Sequence, residues 1–326
     1  MLELSNKNSP ACTSQDYLAA AQPEFQATAR QAGTARRLAL RRHFWPWLLI
    51  SPWLLGLVFF TIGPLLYSLI ISFYDWPLLE SARFVGWENY RHMWFDDADF
   101  WDALTLTCKF AAMYVPLCIS FALLLALLLN LKLAGQGIFR TLFYLPSIIS
   151  GVALVGIFSS MYHRQYGVLN FLLESLGLSA VDWLGSPEWA MPSILLASLW
   201  SVGGSMLVFL AGLKNIPADL YEAARLAGVP AWARFFHITL PLLSPVLLFN
   251  TITTLLAAFQ QLTLALLLTK GGPVNSTHFL AMYIYNTAFR YFDMGYAAAM
   301  SWFLFVLMLI STGILLAIAK RWSYQA

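Results

Sequence analysis

The sequence predicts an all-α integral membrane protein with six transmembrane helices, and three observations carry that prediction. The first is composition: of 326 residues, 60% are hydrophobic and 11% are charged, and the mean hydropathy is +0.67. A soluble core cannot absorb so much apolar surface, so most of the chain must face lipid or other spans. The second is that the apolar residues fall into six runs, each long enough to cross a bilayer as a helix. The third is charge placement. Arg36, Arg37, Arg41, Arg42, Lys132, Arg140, Lys214, Arg225, Arg234, Lys320 and Arg321 all fall on one side of these runs. Arg83, Arg91, Arg164, Lys270 and Arg290 are spread over longer loops on the other side, with most of the acids. Basic residues concentrate in cytoplasmic segments, so both termini are expected in the cytoplasm. The net charge of +3 is too small to suggest nucleic acid.

Residues 1–44 read as a cytoplasmic, mostly disordered tail, too polar to be a cleavable signal peptide. The six-helix domain covers 45–319 and a short cytoplasmic tail covers 320–326. The first span is expected over about Trp45–Phe73, with Trp45, Trp47 and Trp53 as interfacial aromatics and Gly63-Pro64 as a kink. Tyr74–Trp101 is polar and aromatic. Its cluster of Asp96, Asp97, Asp99 and Asp102 lacks the regular spacing of a cation-binding loop and reads as a solvated acidic loop. The second span, about Leu104–Asn130, holds Pro116, and Lys109 near its outer end can snorkel. The third, about Phe139–Met161, holds Leu145-Pro146-Ser147 and Gly151. A partly helical external segment follows at Tyr162–Glu188. The fourth span, about Trp189–Leu213, carries Ser201, Gly203, Gly204 and Ser205. The fifth, about Leu242–Leu268, carries Asn250, Thr251, Thr253, Thr254, Gln260 and Gln261, and ends at the turn Lys270-Gly271-Gly272-Pro273. Ser276–Asp293 is expected to be external. The sixth span, about Gly295–Ala319, opens with Gly295, Ala297, Ala298 and Ala299, small residues that allow close helix contact. Cys12, Cys108 and Cys118 have no metal-ligand spacing and are too few for a disulfide framework.

Between the fourth and fifth runs lies the most informative stretch, 214–241. Asn215 is a candidate helix cap and Pro217 suits the first turn. Asp219 and Glu222 sit near the helix N-terminus, where the dipole favours negative charge. Leu220, Ala223, Ala224 and Ala227 recur at helical spacing and form a flat apolar stripe suited to lie against another surface. Gly228 is placed to end the helix in a left-handed turn, and Pro230 prevents its resumption. A short amphipathic piece, Trp232–Ile238, then leads into the next span.

The spacing within this stretch is specific. Glu222-Ala223-Ala224, Gly228, Ile238 and Leu240-Pro241 reproduce E-A-A-x3-G-x9-I-x-L-P. This resembles the EAA loop of permeases from bacterial ATP-binding-cassette importers. Phe84-Val85-Gly86-Trp87-Glu88-Asn89-Tyr90 with Phe100-Trp101, Phe139–Pro146, and Leu268–Pro273 with Thr277 are similar to segments of the carbohydrate-uptake permeases, as is Gly295–Ser301. The maltose-permease-like first membrane subunit is the nearest pattern. The resemblance implies a type I importer permease architecture in the bacterial cytoplasmic (inner) membrane. It also implies a second homologous permease, two ATP-binding subunits that engage the EAA helix, and an extracytoplasmic binding protein that delivers a sugar. Glu222 would sit in the ATPase cleft and Gly228 would give the pivot.

In maltose-type permeases an adjacent Asn pair contacts sugar, and counted back from Gly271-Gly272-Pro273 its counterparts here are Gln260 and Gln261. Ser147 and Gly151 correspond in the third span, and Ser201 and Ser205, in a shifted register, in the fourth. Gln261 is expected to share a helix face with Thr254 and to touch the sugar. Gln260, turned about 100° away, is expected to hold a neighbouring helix. For each the alternative is a helix–helix hydrogen bond, since a polar group in lipid needs a partner. The chain has no G-x4-G-K-[ST] phosphate loop and no catalytic or metal-binding constellation, so ATP would be bound by partner subunits and no cofactor is expected here. His237 reads as structural or interfacial. The rival readings are a permease for another solute, such as glycerol phosphate or an amino acid, and an intramembrane enzyme or scaffold. A phosphate would favour Arg or Lys at the span centres, and an enzyme paired acids or histidines; neither is present.

Overall fold

The computed structural model of this chain describes residues 46, 48–77, 81–131 and 135–322, the last two by their backbone alone. Arg36, Arg37, Arg41, Arg42, Trp45, Trp47, Lys132 and the Arg321 side chain lie outside the described residues, as do Cys12 and the expected tail at 1–44. The chain divides into two compact units, Met1–Tyr67 and Ser68–Ala326. The first holds most of helix α1 (Leu48–Ile71). The kink expected at Gly63-Pro64 takes the form of a π-helical stretch, Val58–Ile62. Pro64 has no N–H for the Phe60 carbonyl and its ring crowds that oxygen, so the turn before it widens.

The second unit opens with a hairpin, β1 (Tyr74–Asp75) against β2 (Arg83–Phe84), and helix α2 (Glu88–Phe95). Asn89 fastens them, donating to the carbonyls of Ser72 and Tyr74 at 2.9 Å each. Helix α3 (Ala98–Asn130) runs unbroken for 33 residues despite Pro116. It starts well before the expected Leu104 because the Asp97 carboxylate caps it, accepting from the Phe100 N–H at 3.0 Å. The acidic stretch is therefore only partly a solvated loop. Asp96, Asp99 and Asp102 are exposed, but Asp97 is 9% exposed and its second oxygen accepts the hydroxyls of Tyr283 and Tyr296.

Helix α4 (Gln136–Tyr144) passes through a 3-10 turn, Leu145–Ile148, into α5 (Gly151–Met161). Helix α6 (Val168–Ser175) lies in the expected external segment, which Asn170 ties together through its bonds to Arg164, Val181 and Trp183. Then come α7 (Pro187–Leu199), α8 (Gly203–Lys214), α9 (Ala218–Leu226), α10 (Ala231–Leu242) and α11 (Ser244–Phe259). Helices α12 (Leu280–Phe289) and α13 (Met294–Trp322) close the chain. Among the described residues α1, α3 and α13 are each long and apolar enough to cross a membrane. The bent pairs α4–α5 (100°), α7–α8 (48°) and α10–α11 (69°) bring the number to six if each is one span.

Two expectations are corrected. Asn215 does not cap α9; it ends α8, and α9 starts behind Pro217 without a side-chain cap. The fifth span is not one helix over Leu242–Leu268. Helix α11 stops at Phe259, Gln261 and Leu262 are non-helical, and a π-helical turn (Ala265–Thr269) leads to Lys270, whose φ of 54° reverses the chain. The returning α12 packs against α3 and α13 and buries Leu280, Met282, Asn286, Thr287 and Ala288. Two apolar cores line α3. One includes Phe100, Phe110, Phe158, Ile194 and Met300; the other includes Ala122, Ala126, Met206, Phe209 and Leu243. Ala122 and Ala126, one turn apart, let α8 approach closely.

Candidate functional site

Broken helices at membrane depth free backbone groups that lipid cannot satisfy, so they persist only inside protein or beside a wet cavity. Among the described residues, besides the bend between α10 and α11, three such breaks converge. In the third span Pro146 sits in the 3-10 turn and Ser150 restarts the helix, accepting from the Ala153 N–H at 3.4 Å. The fourth breaks at Trp200–Val202 and the fifth at Gln260–Leu262. A Cβ on Gly203 would collide with the Phe143 carbonyl, so the third span's break lies directly on the fourth's. A Cβ on Gly151 would stand 3.1 Å from the Thr263 methyl, which brings the third beside the fifth. Gln261 Nε2 donates to Ser198 Oγ at 2.9 Å, which joins the fifth to the fourth.

Around this junction Trp200 is 48% exposed, with its ring edge-on to Phe158 at 5.9 Å. Ser201, Gln260 and Gly151 are exposed, and Ser147 and Ser205 are half-buried. The Ser147 hydroxyl donates to the Tyr144 carbonyl at 2.7 Å. Gln260 reaches the Met308 sulfur of α13 at 3.6 Å, the neighbouring-helix contact expected of it. Gln261 is tied to a helix as well, through Ser198. Thr254 is buried against the Cys118 thiol of α3. It shares no helix face with Gln261, because α11 ends between them. The junction thus offers amides, hydroxyls and one flat aromatic, all uncharged. Amides and hydroxyls both donate and accept, which suits an uncharged, hydroxyl-rich ligand. Sequence reasoning missed Ser198 and Trp200: a serine or tryptophan in an apolar run carries no local signal, and the partner of Ser198 lies in another span.

The second candidate surface is α9. It buries none of its own residues, and Leu226 is 91% exposed. Ala223 and Ala227 are exposed and Ala224 half-buried. The helix ends as expected at Gly228, whose φ is 73°. The Val229 N–H bonds the Ala224 carbonyl at 2.9 Å and the Gly228 N–H bonds that of Arg225 at 3.0 Å, a full Schellman turn. Nothing lies within 4 Å of a Cβ there, so glycine is required by conformation alone. Glu222, Tyr221 and Arg225 line a groove of about 770 Å³ against the last turns of α3. The hydroxyls of Tyr221 and Thr239 meet at 2.9 Å and hold α9 to α10. Within α10 a π-helical stretch, Phe235–Thr239, precedes Pro241, as in α1. Ile238, Leu240 and Pro241 are half-buried there, the last two facing Leu315 and Ile318 of α13. His237 is exposed and its ring bonds the Ala233 carbonyl at 2.9 Å. Among the described residues no cluster of His, Cys, Asp and Glu is placed to hold a metal.

The family model described as "Binding-protein-dependent transport system inner membrane component" matches residues 98–324. A probable ABC transporter permease protein, YesP of Bacillus subtilis, is 40% identical over 84% of this chain and 89% of its own length. The lactose transport system permease protein LacF of Rhizobium radiobacter is 38% identical over 82% of this chain and 92% of its own. A chain in the crystal structure of a bacterial ABC transporter that imports the acidic polysaccharide alginate shares the fold. Its TM-score is 0.76 at 22% identity, covering 88% of this chain and 99% of that one.

Proposed function

This chain belongs to the family of binding-protein-dependent transport system inner membrane components, and from that premise we propose that it is the permease subunit of an ATP-driven carbohydrate importer. It lies in the bacterial inner membrane with both termini and α9 on the cytoplasmic side. A second, homologous permease completes the pathway. Two ATP-binding subunits engage α9, and an extracytoplasmic binding protein delivers the sugar. ATP hydrolysis belongs to those partners, and this chain holds no cofactor.

The observation that carries the reading is the junction of three broken spans at Gln261 and Ser198. A sugar hydroxyl replaces Ser198 as the acceptor for the Gln261 amide, so the amide is never left unpaired as substrate enters and leaves. Trp200 presents a flat apolar face for the ring. The junction is uncharged, which disfavours glycerol phosphate and amino acids, and the name of the lactose-transport relative points the same way.

The test is uptake by the purified complex in proteoliposomes, measured beside subunit co-purification. Gln261→Ala removes a contact of roughly 1–2 kcal/mol and should weaken apparent affinity or rate about tenfold with assembly intact. Gln260→Ala should instead lower assembly or thermal stability. A Gln261→Ala complex that assembles poorly yet transports normally would show that the residue only holds helices together.

A further inference from the structure

We propose that Asp97 is a positioning residue for transport: its carboxylate pins the hairpin 263–293 to the start of α3 and thereby fixes Gln261 at the base of that hairpin. The inference rests on the permease reading of Gln261 given above.

The hairpin leaves α11 at the Gln260–Leu262 break, reverses at Lys270 and returns as α12. Two buried polar joints fasten it to α3. At the first, one Asp97 oxygen caps α3 through the Phe100 N–H, and the other accepts the hydroxyl of Tyr283 on α12 at 2.7 Å and that of Tyr296 in the first turn of α13, where the chain leaves the hairpin. At the second, Thr107, fully buried, accepts the N–H of Leu280, the first residue of α12, at 2.8 Å. That N–H has no partner within its own helix. Hydrogen bonds to a carboxylate are stronger than those between neutral groups, which makes the Asp97 joint the firmer of the two. A carboxylate this buried is costly unless its bonds satisfy it.

The geometry assigns it a task. Helix α3 is continuous from Asp97's cap to Asn130, where it lines the groove beside Glu222 and Arg225. It also packs along α8 and α11. A displacement that begins at α9 travels along α3 as a rigid rod. Helix α11 carries it as far as Phe259; past that break Gln261 stays in register while the hairpin is pinned to the far end of the rod. With the pin loosened, the hairpin and Gln261 lag, and the ATPase cycles without moving sugar.

The experiment compares sugar transported per ATP hydrolysed in proteoliposomes bearing the whole complex with its binding protein. Asp97→Asn leaves one acceptor oxygen and an amide that cannot accept, so it no longer serves both tyrosines and the cap. The Tyr283→Phe, Tyr296→Phe double variant keeps the carboxylate and its cap but removes both hydroxyls. Each should retain binding-protein-stimulated ATP hydrolysis within about twofold while sugar per ATP falls at least fivefold. Tyr283→Phe alone should fall between. A wild-type ratio in an assembled Asp97→Asn complex overturns the proposal. If that variant does not assemble, the double variant decides by the same ratio. If neither assembles, Asp97 serves folding only and the proposal is also overturned. Failure of the wild-type complex to move sugar would condemn the permease reading instead.

Discussion

Gly203 and Gly204 are neighbours in the sequence with opposite constraints. A Cβ on Gly203 would strike the Phe143 carbonyl, whereas one on Gly204 meets nothing within 4 Å. Gly203→Ala must force α4 away from α8 and should lower thermal stability by about 1–3 kcal/mol, while Gly204→Ala should leave it nearly unchanged. Thermal unfolding of the detergent-solubilised chain checks this; equal melting of the two variants would contradict the packing of the first two breaks. The sequence places both in the fourth span but cannot separate them. Gly295, expected to allow close helix contact, has an equally specific reason of another kind: the Tyr74 carbonyl of β1 occupies the place of its Cβ. Asp97 was misread for a related cause. Its tyrosine partners lie 186 and 199 positions away, beyond any local pattern.

Helix α9 was legible because its limits are written in residues with one conformational use, Pro217, Gly228 and Pro230. Gly228→Val should reach the membrane but lose uptake and substrate-stimulated ATP hydrolysis, because a β-branched residue resists φ above zero. Since the space around Gly228 is open, Gly228→Asn, which tolerates that conformation, should keep much of both. Normal uptake with Gly228→Val would rule out a pivot there. The break at Gln260–Leu262 was not legible as a break. Hydropathy runs on through it into Leu264–Leu268, and an apolar re-entrant turn has the composition of an apolar helix. What the sequence did mark was the pair of glutamines, which are costly in lipid without a partner.

At the scale of the whole molecule, hydropathy marks six apolar runs, which among the described residues are six spans if each bent pair is one, and their orientation is expected from the basic residues alone. Reporter fusions after Gly135, after Lys214 and at the C-terminus should report cytoplasm, and those after Glu88, Gly177 and Gly272 the outside. A cytoplasmic signal at Gly177 would overturn the six-span topology. The central claim, that this chain is the sugar-conducting subunit of an ATP-driven importer, is met most directly by transport itself. The complex of this chain with the proposed second permease and ATP-binding subunits would be sealed into liposomes, with binding protein outside. Labelled sugar should then accumulate above its external concentration, only with ATP inside and only with binding protein present. Equilibration without ATP, or accumulation of glycerol phosphate or an amino acid in place of sugar, would contradict the account.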